Sequence, residues 1–178
     1  VRVYDSQLEG GIVSGDVRIG ASDIAMIPDI NLNGTWGFSV SKDYYESTIK
    51  EIIVPGKWEN QGFYNYDGYA VYSKKFTLPS GYSSKRMIFL AGRIDDNDQV
   101  YINGKLVGQT GDYEGRTKSD KYREFRNYTI PDGVLKVGEN SVIIKVYDGG
   151  GEGGIVEGTV GLITQENFIK YWRMKRGR

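Results

Sequence analysis

The side chains available for chemistry in this chain are carboxylates, tyrosines, serines and lysines, because it contains no cysteine and no histidine. This composition excludes disulfides, thiolate metal ligands, Ser-His-Asp triads and HExxH zinc sites. The densest group of carboxylates is Asp95-Asp96-Asn97-Asp98, with Asp112 further along. We interpret it as a solvated turn with Asx-type hydrogen bonds. Alternatively, these four aspartates ligate a structural calcium, although their spacing fits no EF-hand loop; no other cofactor is predicted.

A β-hairpin must follow this acidic corner. Asn103-Gly104 joins two alternating runs, and the dipeptide is typical of a two-residue type I′ turn, which needs φ > 0 at both central positions. Such a turn places Ile102 opposite Lys105 and Val100 opposite Val107. The acidic corner is therefore predicted to lie at the far end of a hairpin.

Short apolar runs with turn residues between them predict the rest of the fold. Met87–Ala91 is long enough for a core strand and too short for a helix. Further strands are predicted over 36–38, 52–54, 71–78, 122–130, 141–147 and 160–163. Many short strands and little helix indicate an all-β protein, an antiparallel β-sandwich of the jelly-roll type. The tail 164–178 is predicted to be an amphipathic helix with Thr164 as N-cap, ending in a basic patch that we interpret as a solvated linker.

The overall composition limits the partners of the chain. Its 178 residues suit one domain with some excess, and 23 acidic residues balance 23 basic ones. No global field therefore attracts nucleic acid or an anionic membrane, and no apolar run is long enough to span a membrane. The chain begins with Val1 and has no signal peptide, so we expect it to be cleaved or excised from a longer protein.

An internal repeat relates the two ends of the chain. Residues 2–19 match residues 145–162 at an offset of 143, with ten of eighteen positions identical. We interpret residues 1–27 as the end of a preceding tandem copy, residues 28–163 as one complete module and residues 164–178 as the tail. In the alternative interpretation both matching segments are related edge strands of one domain. A strand that has lost its own sheet must pair elsewhere, within this domain or with a neighbour.

Three segments carry a resemblance to a known family. They are NLNGTWGF with VPGKWENQGFYNYDGYAVYSKKFTLP (31–38 and 54–79), GRIDDNDQVYINGKLVGQTG (92–111) and LKVGENSVIIKVYDGGGEGGI (135–155). In this order they resemble the galactose-binding-domain-like jelly roll, the sugar-binding domain of glycoside hydrolase family 2. That domain stands at the front of β-galactosidases and β-glucuronidases and also occurs in sialate O-acetylesterases.

The resemblance implies where a sugar site would lie. In the family, the loop corresponding to Trp58–Tyr69 and the closing glycine loop lie at the same end and contribute polar groups to the sugar site. Carried over, this nominates Asn65, Asp67 and Asp148, against the interpretation that they only form turns. Sugars bind aromatic faces and carboxylate or amide groups, which adds the following residues of the two loops: Tyr64, Tyr66, Tyr69 and Glu152. We expect Trp58 to lie in the core.

The resemblance also implies a function. The chain is too short for the catalytic barrel of that family, so we expect no enzyme activity but a carbohydrate-binding accessory module within a longer, secreted protein, extracellular, periplasmic or on the cell surface. Its partners would be carbohydrate and neighbouring domains. Val156-Glu157-Gly158 stands where the hydrolases commonly have an arginine after the closing glycines, which favours a stand-alone tandem module. The alternative is a structural or protein-interaction module without a sugar site.

Overall fold

Two antiparallel sheets, packed face to face, make up most of the computed structural model, which describes residues 26–42, 49–114 and 120–176. The strands are β1 (Ile30–Asn31), β2 (Gly34–Ser39), β3 (Lys50–Val54), β4 (Gly56–Lys57), β5 (Gly68–Leu78), β6 (Met87–Asp95), β7 (Asn97–Ile102), β8 (Lys105–Thr110), β9 (Phe125–Thr129), β10 (Gly138–Asp148) and β11 (Gly154–Thr164). They are followed by helix α1 (Gln165–Arg176). The predicted all-β sandwich is confirmed.

The two sheets differ in size. One has the order β3-β2-β5-β10-β7-β8, and the other has the order β1-β11-β6-β9 with β4 also paired to β11. β10 lies in the middle of the larger sheet, and its side chains alternate between buried and half-buried. Val142, Ile144 and Val146 point into the core between the sheets, as the period of two requires.

Unlike β10, strand β6 is apolar on both of its faces. Phe89 and Ala91 face the core between the sheets, whereas Ile88 and Leu90 point to the outer face. On that outer face they form a second cluster with Ile163 of β11. Phe168 of α1 and Met26, which precedes β1, pack against this cluster. Both faces of β6 are therefore covered, which explains why its sequence does not alternate.

The C-terminal helix begins where the sequence predicts. The Thr164 hydroxyl accepts a hydrogen bond from the Asn167 backbone N–H at 3.3 Å, as an N-cap does. Both Asp29 carboxylate oxygens add to this end of the helix, accepting from the Thr164 N–H at 2.6 Å and from Asn167 Nδ2 at 2.8 Å. Because Phe168 packs on the outer face of β6 and β11, α1 belongs to the fold rather than forming only a solvated linker.

The predicted hairpin forms, but with a different register. Asn103-Gly104 joins β7 to β8 with φ of 50° and 77°, and Ile102 lies opposite Lys105 as expected. Val100, however, lies opposite Gly108 rather than Val107, because a β-bulge shifts the register between Val100 and Tyr101. The bulge brings Gly108 so close to Tyr128 that a Cβ would lie 2.1 Å from its ring.

Several sequence-based expectations fall outside these residues. The preceding-copy interpretation concerns residues 1–27, of which only 26 and 27 are described. The structure also leaves out residues 43–48, 115–119, 177 and 178. No helix within the described ranges is long and apolar enough to cross a membrane.

Candidate functional site

The two loops expected to form a site leave the same end of the larger sheet. β10 and β5 pair along their whole length, so that Asp148, the last residue of β10, lies opposite Gly68, the first residue of β5. The glycine loop 149–153 follows Asp148, and the aromatic segment 58–67 precedes Gly68. Antiparallel pairing therefore brings both loops together, as the resemblance implies.

Direct contacts join the two loops at their base. The Trp58 N–H donates to the Gly153 carbonyl at 3.1 Å, and the Gly153 N–H donates to Glu59 Oε1 at 2.9 Å. Lys57 and Glu152, the residues that precede Trp58 and Gly153, form an ion pair. A Cβ on Gly153 would lie 1.8 Å from the Trp58 indole, so only glycine allows this approach. Trp58 itself is fully buried, as expected.

Two tyrosines of the aromatic segment differ in their exposure to solvent. Tyr64 is 76% exposed, and Asn65 beside it is exposed with a left-handed φ of 51°. Tyr66 is half-buried, since its ring contacts the Trp58 ring edge-on at 5.5 Å and its hydroxyl donates to the Tyr69 carbonyl at 2.7 Å. Burial raises the pKa of Tyr66, and the hydrogen bond to Tyr69 opposes that shift.

Tyr69 is enclosed by other side chains. Its ring lies 4.8 Å from that of Tyr147 and 5.1 Å from that of Tyr113, and the Lys42 ammonium stands 5.3 Å from its centroid. Lys42 in turn forms an ion pair with Glu114. Tyr69 is therefore committed to packing at this end, which the sequence did not indicate, because the contacting residues come from distant segments.

The three carboxylates predicted for the site differ in accessibility. Asp67 and Glu152 are exposed, whereas Asp148 is fully buried. Asp148 Oδ1 accepts a hydrogen bond from the Gly150 N–H at 3.0 Å. Burial, together with the charges of Asp96, Asp67 and Glu59, raises the pKa of Asp148 to about 6, and the hydrogen bond from Gly150 opposes this rise.

Asp148 belongs to a group of three carboxylates. One oxygen each from Asp95, Asp96 and Asp148 lie within 4.8 Å of one another. Asp96 is fully buried, and its Oδ2 accepts from the Gly149 N–H at 3.1 Å. Asp95 and Asp96 are two of the residues predicted to ligate calcium, but the third, Asp148, was expected only to bind sugar.

The prediction of a solvated turn at residues 95–98 is wrong. Asp96, Asn97 and Asp98 are all fully buried. Asp98 also lies outside the carboxylate group, since its Oδ1 accepts from Arg126 Nε at 2.8 Å and its Oδ2 from the Tyr128 hydroxyl at 2.6 Å. Asp98 is thus the ion-pair partner of Arg126, which lies in the other sheet.

Arg126 explains how this acidic segment can be buried. Its guanidinium donates to the carbonyls of Ile94 at 3.0 Å, Asp96 at 2.9 Å and Glu124 at 2.6 Å, and also to that of Lys121. Buried charges are tolerated when they are paired and fully hydrogen-bonded. Asp112, the fourth predicted calcium ligand, has an exposed side chain, while its backbone carbonyl accepts from Asn97 Nδ2 at 3.1 Å.

Comparison with protein-family models and with curated protein sequences gives no match. Solved structures of β-glucuronidases do resemble the chain. For the enzyme from Bifidobacterium dentium in complex with coumarin-3-O-glucuronide, the TM-score is 0.54 at 22% identity, over 66% of this chain and 20% of that one. For Ruminococcus gnavus β-glucuronidase, the TM-score is 0.56 at 16% identity, over 70% of this chain and 23% of that one. For Dictyoglomus thermophilum β-D-glucuronidase, the TM-score is 0.54 at 22% identity, over 67% of this chain and 19% of that one.

These comparisons establish the fold and a partial likeness. The chain spans about a fifth of the length of these enzymes. It is a β-sandwich that resembles one domain of larger, multidomain enzymes. A (β/α)8 barrel, which needs about 250 residues, is absent from the described residues.

Proposed function

We propose that this chain is a non-catalytic carbohydrate-binding module of a larger glycoside-hydrolase-like or esterase-like protein, and that it takes sugar at the end of the sandwich where segment 58–67 meets loop 149–153. The observation that carries the proposal is the pairing of Gly68 with Asp148, which puts both loops on one end with exposed aromatic and carboxylate side chains. The partial likeness to β-glucuronidases supports membership of a larger protein.

The exposed groups at this end match what a sugar requires. Tyr64 offers an aromatic face for the C–H groups of a pyranose ring, and Asn65, Asp67 and Glu152 offer acceptors for its hydroxyls. Tyr66, Tyr69 and Asp148 act beneath this surface: they hold the loops in place instead of facing the sugar. The proposed contact surface is therefore Tyr64, Asn65, Asp67 and Glu152.

The proposal is tested by glycan-array screening and titration calorimetry with the 178-residue chain. Tyr64→Ala and Asp67→Asn are the variants of choice, because both side chains are exposed and their replacement should leave the melting temperature unchanged. Phe125→Ala is the matched control, since Phe125 is an aromatic residue that is 57% exposed on β9, outside both loops.

The expected result is weak binding, with a Kd of the order of micromolar to millimolar, that falls at least tenfold in Tyr64→Ala and in Asp67→Asn and persists in Phe125→Ala. Binding to no glycan, or binding that survives in Tyr64→Ala, would contradict the proposal.

A second candidate function is that of a protein-interaction module, and a specific surface favours it. Helix α1 and the adjoining face of β6, β9 and β11 line an apolar groove that includes Phe125, Phe168 and Trp172. On the same helix, Ile169 and Met174 are 40% and 44% exposed. In this function the module would position neighbouring domains through α1, and Phe125→Ala would weaken that contact while Tyr64→Ala would not.

A further inference from the structure

Three aspartates converge at the loop end from two segments of the backbone, the junction of β6 with β7 and the end of β10. Asp95 ends β6 in the smaller sheet, Asp96 links β6 to β7, and Asp148 ends β10 in the larger sheet. One carboxylate oxygen of each lies within 4.8 Å of the other two. Like charges at this spacing repel one another unless a proton or a cation lies between them.

A second observation points to a cation rather than to a structural turn. The Asp148 side chain is fully buried, and although its Oδ1 accepts from Gly150, its Oδ2 has no hydrogen-bond partner among the described residues. A buried carboxylate oxygen without a donor is costly, because desolvation is not offset by any contact. A bound cation beside this oxygen would compensate its negative charge and offset the cost of burial.

The surroundings of Asp148 add negative charge only. The charges of the described residues that act on it are those of Asp96, Asp67 and Glu59. Three basic side chains near this end form ion pairs with other acids: Arg126 with Asp98, Lys57 with Glu152 and Lys42 with Glu114.

We propose that Asp95, Asp96 and Asp148 form a binding site for a divalent cation, and that calcium is the ion they suit best. All three ligands are hard carboxylate oxygens. The chain contains no histidine and no cysteine, so it lacks the imidazole and thiolate ligands that zinc prefers. Oxygens bound to one calcium at about 2.3–2.6 Å lie no more than about 5 Å apart. The observed spacing meets this limit. An irregular set that includes two adjacent aspartates and a third from another strand suits calcium better than magnesium, which demands near-ideal octahedral geometry.

The bound ion would hold the two sheets together at the loop end. It would tie the end of β6 to the end of β10, next to the point where the Gly149 N–H already donates to Asp96. The inference goes beyond the proposed function, since a cation here stabilises the fold whether or not the loops take sugar.

The experiment is calcium titration of the chelator-treated 178-residue chain, by calorimetry and by thermal melting with and without calcium. The site variants are Asp95→Asn and Asp148→Asn. Asp132→Asn is the matched control, because Asp132 is an exposed aspartate in the segment before β10, at the opposite end of that strand. Magnesium at the same concentration tests the choice of ion.

Calcium at millimolar concentration should raise the melting temperature of the native chain and of Asp132→Asn by several degrees, because a ligand that binds only the folded state stabilises it. Asp148→Asn should lose this rise, and Asp95→Asn should reduce it at least by half. In chelator, Asp148→Asn should melt no lower than the native chain, since the change removes like-charge repulsion. Loss of the calcium response then cannot be ascribed to misfolding.

Either of two outcomes would overturn the proposal. One is a native chain whose melting temperature responds to pH but not to calcium, which would mean that a proton neutralises the group instead. The other is a calcium response retained in Asp148→Asn. Calcium binding without sugar binding would leave this inference intact and contradict the proposed function alone.

Discussion

Asp98 in β7 and Arg126 in β9 form an ion pair that joins the two sheets, with 2.8 Å between Oδ1 and Nε and side chains that are 0% and 1% exposed. Tyr128 donates to the second Asp98 oxygen and is itself 2.7 Å from the Thr110 hydroxyl. Burial raises the pKa of Asp98, and the charge of Arg126 opposes the shift. The pair is therefore a buried polar contact between two sheets whose shared core is mainly apolar.

Replacing Arg126 alone should destabilise the chain strongly. Arg126→Met leaves the Asp98 charge buried without its partner and removes the donors to four carbonyls, so we expect a loss of about 3–5 kcal/mol in the free energy of unfolding. Urea denaturation measures it. The double variant Asp98→Leu/Arg126→Met should recover part of the loss, since no buried charge remains; a single variant that loses less than 1 kcal/mol would contradict this account of the interface.

Gly153→Ala should loosen the base of the two loops. The added Cβ would meet the buried Trp58 indole at 1.8 Å, and overpacking of this kind costs about 1–3 kcal/mol. Gly81→Ala is the control, because a Cβ there meets nothing within 4 Å. Thermal melting and Trp fluorescence compare the two variants, and equal melting temperatures would show that loop 149–153 can move away from Trp58 at little cost.

In the presence of chelator, the stability of the chain should fall as the pH rises from 4 to 7. The folded pKa of Asp148, about 6, exceeds its ordinary value, so the folded state binds more protons than the unfolded state between these values. The contribution of Asp148 to stability is therefore greatest below pH 4, is lost as the pH rises through 6 and is constant above it. The loss amounts to at most about 3 kcal/mol.

Asp148→Asn isolates that contribution, because Asp98 also has a raised pKa and changes stability in the same direction. Denaturant unfolding at pH 4, 5, 6 and 7 should give a shallower slope in this variant than in the native chain. Identical pH profiles would mean that Asp148 does not titrate in this range.

Asp29→Ala should weaken the attachment of α1. Asp29 accepts hydrogen bonds from the Thr164 N–H and from Asn167, and a carboxylate at a helix N-terminus is favourable. We expect a loss of about 1–2 kcal/mol, with Asp132→Ala, at an exposed position, within about 0.5 kcal/mol of the native chain. Circular dichroism with urea unfolding measures both, and a loss in Asp29→Ala no larger than in the control would contradict the role of Asp29.

Features set by local sequence were predictable. The hairpin at Asn103-Gly104, the cap at Thr164 and the core strand of β6 each depend on a few adjacent residues, and each was predicted from them. The β-bulge was not predicted, and it lies beside a close contact between Gly108 and Tyr128 of the other sheet. Nothing near Gly108 in the sequence indicates that contact.

The acidic corner shows where sequence reasoning fails. Three aspartates within four residues are typical of a solvated turn, but Asp96 and Asp98 are buried, and the partner that compensates the charge of Asp98 is Arg126, 28 positions further along the chain. The arrangement around Asp148 is similar, since it depends on Asp95 and Asp96 from another strand. The sequence thus located both loops of the candidate site but not which of their side chains face solvent.

The first and last strands of the described sandwich lie side by side. β1 pairs with β11, Ile30 opposite Leu162, and Met26 packs with Phe168 in the same cluster. The first described strand therefore runs beside the strand that leads into α1. Neighbouring first and last strands are the geometry that allows a domain to be inserted into a surface loop of another domain.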